Sequence, residues 1–117
     1  MSDTEWAALL IRLTTAITMI AFGLHQIINP MGWREYIPEW LHKLDPLPPG
    51  LTLQIHGVGN LLLGFLFAIG FWPEVFDWVV VAWWVSISPL AYYVKWSIGM
   101  RDTIILAGIL AMILITH

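Results

Sequence analysis

The chain contains no cysteine. That absence removes disulfides, thiol redox chemistry, iron–sulfur clusters and thiolate metal sites together. Charge is almost as scarce: Asp, Glu, Lys and Arg make up 11% of residues, against roughly 25% in ordinary soluble domains. Five Lys plus Arg stand against eight Asp plus Glu, a net charge of -3. No basic stripe is present that could neutralise a phosphate backbone, which excludes nucleic acid as a partner. Nor is there a Lys/Arg cluster of the kind that recognises anionic lipid. No nucleophile–His–acid set, phosphate-binding loop or pair of catalytic carboxylates can be picked out, so no catalytic residue is assigned. What the chain has instead is apolar length: 59% of residues are hydrophobic.

That content falls into four runs, Trp6–Ile28, Leu51–Trp72, Val75–Trp96 and the shorter Arg101–Ile115. A helix needs about 20 apolar residues to cross ~30 Å of hydrocarbon. Only helices and closed barrels satisfy their backbone polar groups without water. The predicted fold is therefore all-α: a four-helix transmembrane bundle forming one integral domain over residues 1–117. The leader Met1-Ser2-Asp3-Thr4-Glu5 is acidic and the run behind it is long enough to span, so the first helix is expected to be retained rather than cleaved as a signal peptide. With four spans both termini share a face. The opposite face carries Arg34, Lys43, Lys95 and Arg101, and the positive-inside rule then puts both termini on the non-cytoplasmic side.

Asn29-Pro30 should end the first helix, because proline disfavours helical geometry in the residue before it. The stretch Met31–Leu44 reads as a broken amphipathic segment: Trp33, Tyr36, Ile37, Trp40 and Leu41 on one side, Arg34, Glu35, Glu39 and Lys43 on the other, with Pro38 interrupting. An interfacial, aromatic-rich loop is expected there between helices one and two. In the second helix His56, Asn60, Gly64 and Ala68 recur at every fourth position, a small and polar stripe that should face the bundle. Pro89 should kink the third helix, with Ser86 and Ser88 re-satisfying the freed backbone. Gly99 is expected to break the chain before Arg101-Asp102 opens the fourth helix, with Asp102 near its positive N-terminal dipole. Trp6, Trp72 and Trp78 should mark one interface and Trp33, Trp40 and Trp96 the other. The deeper Trp83 and Trp84 are expected against lipid or a partner subunit.

Helix direction brings several polar groups to one depth on the loop side. His25, near the end of the first helix, and His56, early in the second, share that level with Tyr92, Tyr93, Lys95, Arg101 and Asp102. Gln26, Gln54 and Asn60 lie nearby. Ionisable groups at this depth are costly in hydrocarbon and usually point inward in pairs. The residues put forward for a shared polar pocket are His25, His56, Tyr92, Arg101 and Asp102. Its role stays open among a helix-to-helix lock, a receptor for a polar head group such as a quinone ring or a lipid, and a metal site with His25, His56 and Asp102 as ligands. Axial ligation of a haem or chlorophyll by one His is a further alternative. The metal reading lacks His-x-x-x-His or Glu-x-x-His spacing, and no metal ligand is assigned. Arg12 is expected to snorkel toward the terminal face, paired with Glu74 or Asp77. His42 and His117 have no recognisable partner pattern.

An Arg early in helix one, then Phe22-Gly23-Leu24-His25-Gln26-Ile27-Ile28-Asn29-Pro30 and a Trp-x-x-Tyr-x-Pro loop, resembles the DoxX/DoxD-like family of small membrane proteins. The Gly-rich second helix and Arg101-Asp102-Thr103-Ile104-Ile105-Leu106-Ala107-Gly108 extend the resemblance over nearly the whole chain. One departure is His25-Gln26, where members often carry Lys. The resemblance implies a four-helix membrane protein, in some members a subunit of quinone-linked sulfur oxidation. The expected role is thus a small integral subunit of a larger membrane oxidoreductase complex, mainly structural, with a pocket for quinone or lipid. Its partners would be the bilayer and larger membrane subunits. A small membrane carrier and a stand-alone quinone-linked oxidoreductase are the alternatives. The carrier reading is weakened because no acidic residue lies between Trp6 and Ile28, where small multidrug-resistance transporters hold their coupling Glu.

Overall fold

The computed structural model describes residues 1–117, the side chain of Pro49 apart. Its elements, in chain order, are α1 (Asp3–Ile28), a 3-10 segment (Pro30–Tyr36), α2 (Glu39–Leu44), α3 (Pro49–Ala68), α4 (Pro73–Val94) and α5 (Trp96–Thr116). Among the described residues there are no strands. Four helices, α1, α3, α4 and α5, are long and apolar enough to cross a membrane. The fold is the expected all-α four-helix bundle, and the chain is an integral, multi-pass membrane protein.

Helix boundaries follow local capping chemistry rather than the limits of apolar composition. α1 begins at Asp3 and not at Trp6, because the Ser2 hydroxyl accepts from the Glu5 backbone N–H at 3.2 Å and donates to the Glu5 carboxylate. Asp3 and Glu5 also suit the positive end of the helix. α3 stops at Ala68, four residues short of Trp72. Gly70 adopts φ +66, and the Phe71 N–H reaches the Leu66 carbonyl while the Gly70 N–H reaches that of Phe67. This paired closure needs a left-handed residue that glycine supplies freely. Trp72 then turns the chain with φ +40 before Pro73 opens α4.

The predicted break at Gly99 is not where the chain turns. α4 and α5 are joined by Lys95 alone, extended at φ -163 and ψ 136. Gly99 lies inside α5, where its missing side chain leaves room for the ring of Tyr92. The Tyr92 hydroxyl closes the hairpin at 2.7 Å from Thr103 Oγ1 and donates to Met100 Sδ at 3.4 Å. Asp102 consequently sits in the second turn of α5, beyond the reach of the terminal dipole. Beside Pro89, Ser86 and Ser88 donate to the carbonyls of Trp83 and Trp84, not to that of Val85.

α1 packs along α3, α4 along α5, and α1 also meets α5. Backbone approaches backbone at Gly23 and Gly57: a methyl group on Gly23 would stand 2.6 Å from the Gly57 carbonyl oxygen. Small residues permit this approach where apolar burial gives helices little reason to associate in lipid. Ala16, Met19, Phe67, Val80, Trp84, Ile109 and Met112 fill the core between the pairs.

A charged clasp closes the terminal end. Arg12 forks onto Asp77, its two amino nitrogens donating to the two carboxylate oxygens at 2.8 and 2.7 Å. It also donates to the Phe67 carbonyl at the end of α3 (3.0 Å) and lies over the Phe67 ring. His117 Nε2 completes the set at 2.9 Å from Asp77 Oδ2. Asp77 is 1% exposed, and Arg12, itself part-buried, takes the expected pairing with it and joins α1, α3 and α4. His117, which sequence reasoning left without a partner, belongs to the same cluster.

Candidate functional site

The loop end is built differently. A cavity of about 140 Å³ opens there among α1, the 3-10 segment, α3, α4 and α5. Its wall is mainly apolar and aromatic, including Phe22, Trp33, Ile37, Leu53 and Ile87, with Gln26, Tyr36, Thr52, His56, Asn60, Arg101 and Asp102 as polar members. A cavity of about 150 Å³ is large enough to hold benzene, so one six-membered ring matches this space.

The Met31–Leu44 stretch resolves into the 3-10 segment, a break at Ile37-Pro38 and the short α2. The segment folds over the cavity: Trp33, Tyr36, Ile37 and Leu41 all contribute to the wall. Trp40 remains outside and exposed. Burial pushes the Tyr36 phenol above its ordinary value, partly opposed by the Arg101 charge beside it. Tyr36 is therefore a neutral hydroxyl at physiological pH.

Of the five residues put forward for a shared pocket, the structure brings His56, Arg101 and Asp102 to this cavity and leaves His25 and Tyr92 outside. His25 is exposed and accepts from Trp33 Nε1 at 2.6 Å, which ties the 3-10 segment to α1. Tyr92 is the hairpin contact described above. A ligand set of His25, His56 and Asp102 does not assemble, and among the described residues no three His, Asp or Glu side chains could hold an ion. Asp102 is 2% exposed, and its Oδ1 accepts from Arg101 Nε and Nη2, both at 3.0 Å. Arg101 in turn lies over the Phe22 ring, 5.1 Å from its centre.

Gln26, the neighbour of His25, is the residue of α1 that points inward. Its amide nitrogen lies 3.0 Å from His56 Nδ1, and its oxygen accepts from Asn60 Nδ2 at 2.7 Å. Asn60 Oδ1 accepts from Trp83 Nε1 at 2.8 Å. The Trp83 ring stacks on His56 with centroids 4.6 Å apart and rests against Gly59, whose missing side chain makes the room. Trp83 is thus part of a polar relay and Trp84 is buried in the core; neither is primarily a lipid or partner contact. Gln54, another polar residue noted at this depth, donates to the Ile27 carbonyl and closes the end of α1.

Two buried side-chain nitrogens have no hydrogen-bond partner in the protein: His56 Nε2 and Trp84 Nε1. Both residues line the cavity. A buried polar group left unpaired costs about 1–3 kcal/mol, and almost all such groups in folded proteins have partners. Both atoms have almost no accessible surface, so they lie within the packed wall of the cavity rather than open to it. Arg101 offers a third donor nearer the surface, being 45% exposed.

A scan against protein-family models matches DoxX over residues 7–96. No curated protein and no solved structure matches the chain. The matched stretch takes in α1, the loop segment, α3 and α4, and so carries most of the cavity wall and both halves of the Arg12–Asp77 clasp; on this evidence the chain belongs to the DoxX family.

Proposed function

We propose that this chain is a small integral subunit of a larger membrane oxidoreductase complex, and that its loop-end cavity holds the head group of a quinone. The observation that carries the reading is a ring-sized cavity walled by aromatic side chains, with His56 and Trp84 among its lining residues and the Arg101 guanidinium as a donor beside it. A quinone head group is flat, apolar on both faces and bears carbonyl oxygens that only accept. Ligand sites of this kind combine aromatic walls with a few convergent polar groups. His56, Trp84 and Arg101 can bind and orient such a ring, with quinone itself supplying the redox chemistry.

Purification in mild detergent tests the first half: larger subunits should accompany the chain in fixed stoichiometry. An isolated monomer or homodimer retaining native lipid would refute it. Calorimetric titration with a decyl-substituted 1,4-benzoquinone tests the second half. Binding should be lost in His56→Phe, and failure of the wild-type protein to bind would refute the head-group reading.

A further inference from the structure

Asp102 has one carboxylate oxygen to spare. Its Oδ1 accepts from Arg101 Nε and Nη2 at 3.0 Å, while Oδ2 accepts from no group of the chain. The residue is 2% exposed and lines the loop-end cavity. His56 Nε2 and Trp84 Nε1 are unpartnered too, but they are sealed in the wall, and Asp102 Oδ2 is not among the sealed atoms. Paired with a guanidinium, Asp102 is a carboxylate and can only accept. Donors stand next to it. Arg101 keeps N–H groups beyond the two it spends on Oδ1. The Tyr36 phenol lies beside Arg101 and lines the same cavity.

From this free acceptor set among free donors we infer that Asp102 determines specificity for the reduced head group: the cavity takes a quinol in preference to the quinone of the same ring. The quinol hydroxyl donates to Asp102 Oδ2, and its oxygen accepts from Arg101 or Tyr36. The inference rests on the head-group reading above and sharpens it. A hydroxyl is donor and acceptor at once, so it matches both halves of this wall. A quinone oxygen only accepts. It matches the donors alone, and it sets its lone pairs against those of Oδ2 while shutting water away from a buried charge. The Thr52 hydroxyl, which donates to Asp45, keeps its lone pairs for the second, para hydroxyl of the quinol. Hydrogen bonds to a carboxylate are among the stronger ones in proteins, and the lack of this one should lower affinity by about tenfold or more.

The test is anaerobic calorimetry on the full chain in lipid nanodiscs, referenced to empty nanodiscs. Three ligands are titrated separately: a decyl-substituted 1,4-benzoquinone, its quinol, and the dimethyl ether of that quinol, which cannot donate. The quinol should bind at least about tenfold more tightly than the quinone, and the ether no better than the quinone. These comparisons use the wild-type protein and depend on no variant's folding. Asp102→Asn then probes the residue itself. Its amide oxygen can still accept from Arg101, which turns the amide nitrogen toward the place of Oδ2 and exchanges an acceptor for a donor. The preference should reverse in favour of the quinone. A quinone that binds as tightly as the quinol, an ether that does so, or an Asp102→Asn protein that still prefers the quinol would overturn the specificity and leave the head-group reading standing. Binding of none of the three would overturn both.

Discussion

Replacing Arg12 with Leu is the change this bundle should tolerate least. Asp77 is 1% exposed, and Arg12 fills both of its oxygens. Without Arg12 the carboxylate keeps only His117. Removing one partner of a buried ion pair costs about 3–5 kcal/mol in soluble proteins, because the other charge is left behind. In a bilayer the unfolded reference state also finds partners, so the lower end, about 3 kcal/mol, is expected. Asp77→Leu should cost less. Arg12 would keep its bond to the Phe67 carbonyl and its place over the Phe67 ring, and its flexible stem can carry the head toward water. The double variant should then resemble Asp77→Leu alone, falling short of the sum of the two singles by the Arg12→Leu cost, about 3 kcal/mol. Arg12→Lys should be intermediate, since one ammonium does not reproduce the planar fork onto both oxygens. Unfolding in mixed micelles by rising SDS fraction, followed by helical circular dichroism, measures all four. Strictly additive singles, or an Arg12→Leu protein within about 0.5 kcal/mol of wild type, the range of an inconsequential substitution, would refute the reasoning.

Three further outcomes follow from other parts of the structure. Gly57→Ala puts a methyl group 2.8 Å from the Gly23 carbonyl oxygen and 2.9 Å from Gln26 Cβ; it should destabilise the bundle by about 1–3 kcal/mol and weaken benzoquinone binding by displacing Gln26. The Asp45 carboxyl is held below its ordinary value of 3.8 by the Thr52 hydroxyl and then by the Leu47 N–H; the stability this contributes is complete above the ordinary value and disappears as pH falls through the depressed one. Thr52→Ala should return that carboxyl toward 3.8 in a carbon-13 titration, and an unchanged value would refute the assignment. Because the chain has no native thiol, Ser2→Cys and Lys43→Cys can be labelled against a clean background: an impermeant maleimide added outside cells should reach position 2 but not 43, and labelling of both from one side would overturn the topology.

The spans were legible in the sequence because membrane insertion depends on composition over a whole helix, and composition survives errors in local detail. The ends were less so. Ser2 with Glu5, Gly70, and the extended Lys95 set them through single hydrogen bonds and single dihedral angles, none of which alters average hydropathy. The site was half legible. His56, Arg101 and Asp102 were found by their cost in hydrocarbon, but that criterion favours titratable residues and so selected His25 over Gln26. Adjacent helical residues point about 100° apart, and here Gln26 faces inward while His25 is exposed. The deciding signal was available: Ala16, Met19, Gly23 and Gln26 follow one another at helical spacing along the buried stripe of α1, and His25 lies off it. Trp83 offered no such signal, because its role depends on the space that Gly59 leaves on a different helix.

The two ends of the bundle follow opposite rules, and this separates stability from binding. At the terminal end Asp77 is matched on both oxygens and the clasp joins α1, α3 and α4, with His117 completing it. At the loop end Gln26, Asn60 and Trp83 are matched just as fully, yet the relay they form stops at a nitrogen with no partner. A lock between helices would gain nothing from that unmatched donor, although an apolar side chain in place of His56 would leave the Gln26 amide nitrogen without its acceptor. The clasp and the cavity share no residue, so the coupling between them should be small. Arg12→Lys should therefore lower stability without changing benzoquinone affinity, whereas His56→Phe should remove benzoquinone binding. If the two variants instead moved both quantities together, His56 would be part of the bundle's packing rather than a ligand contact.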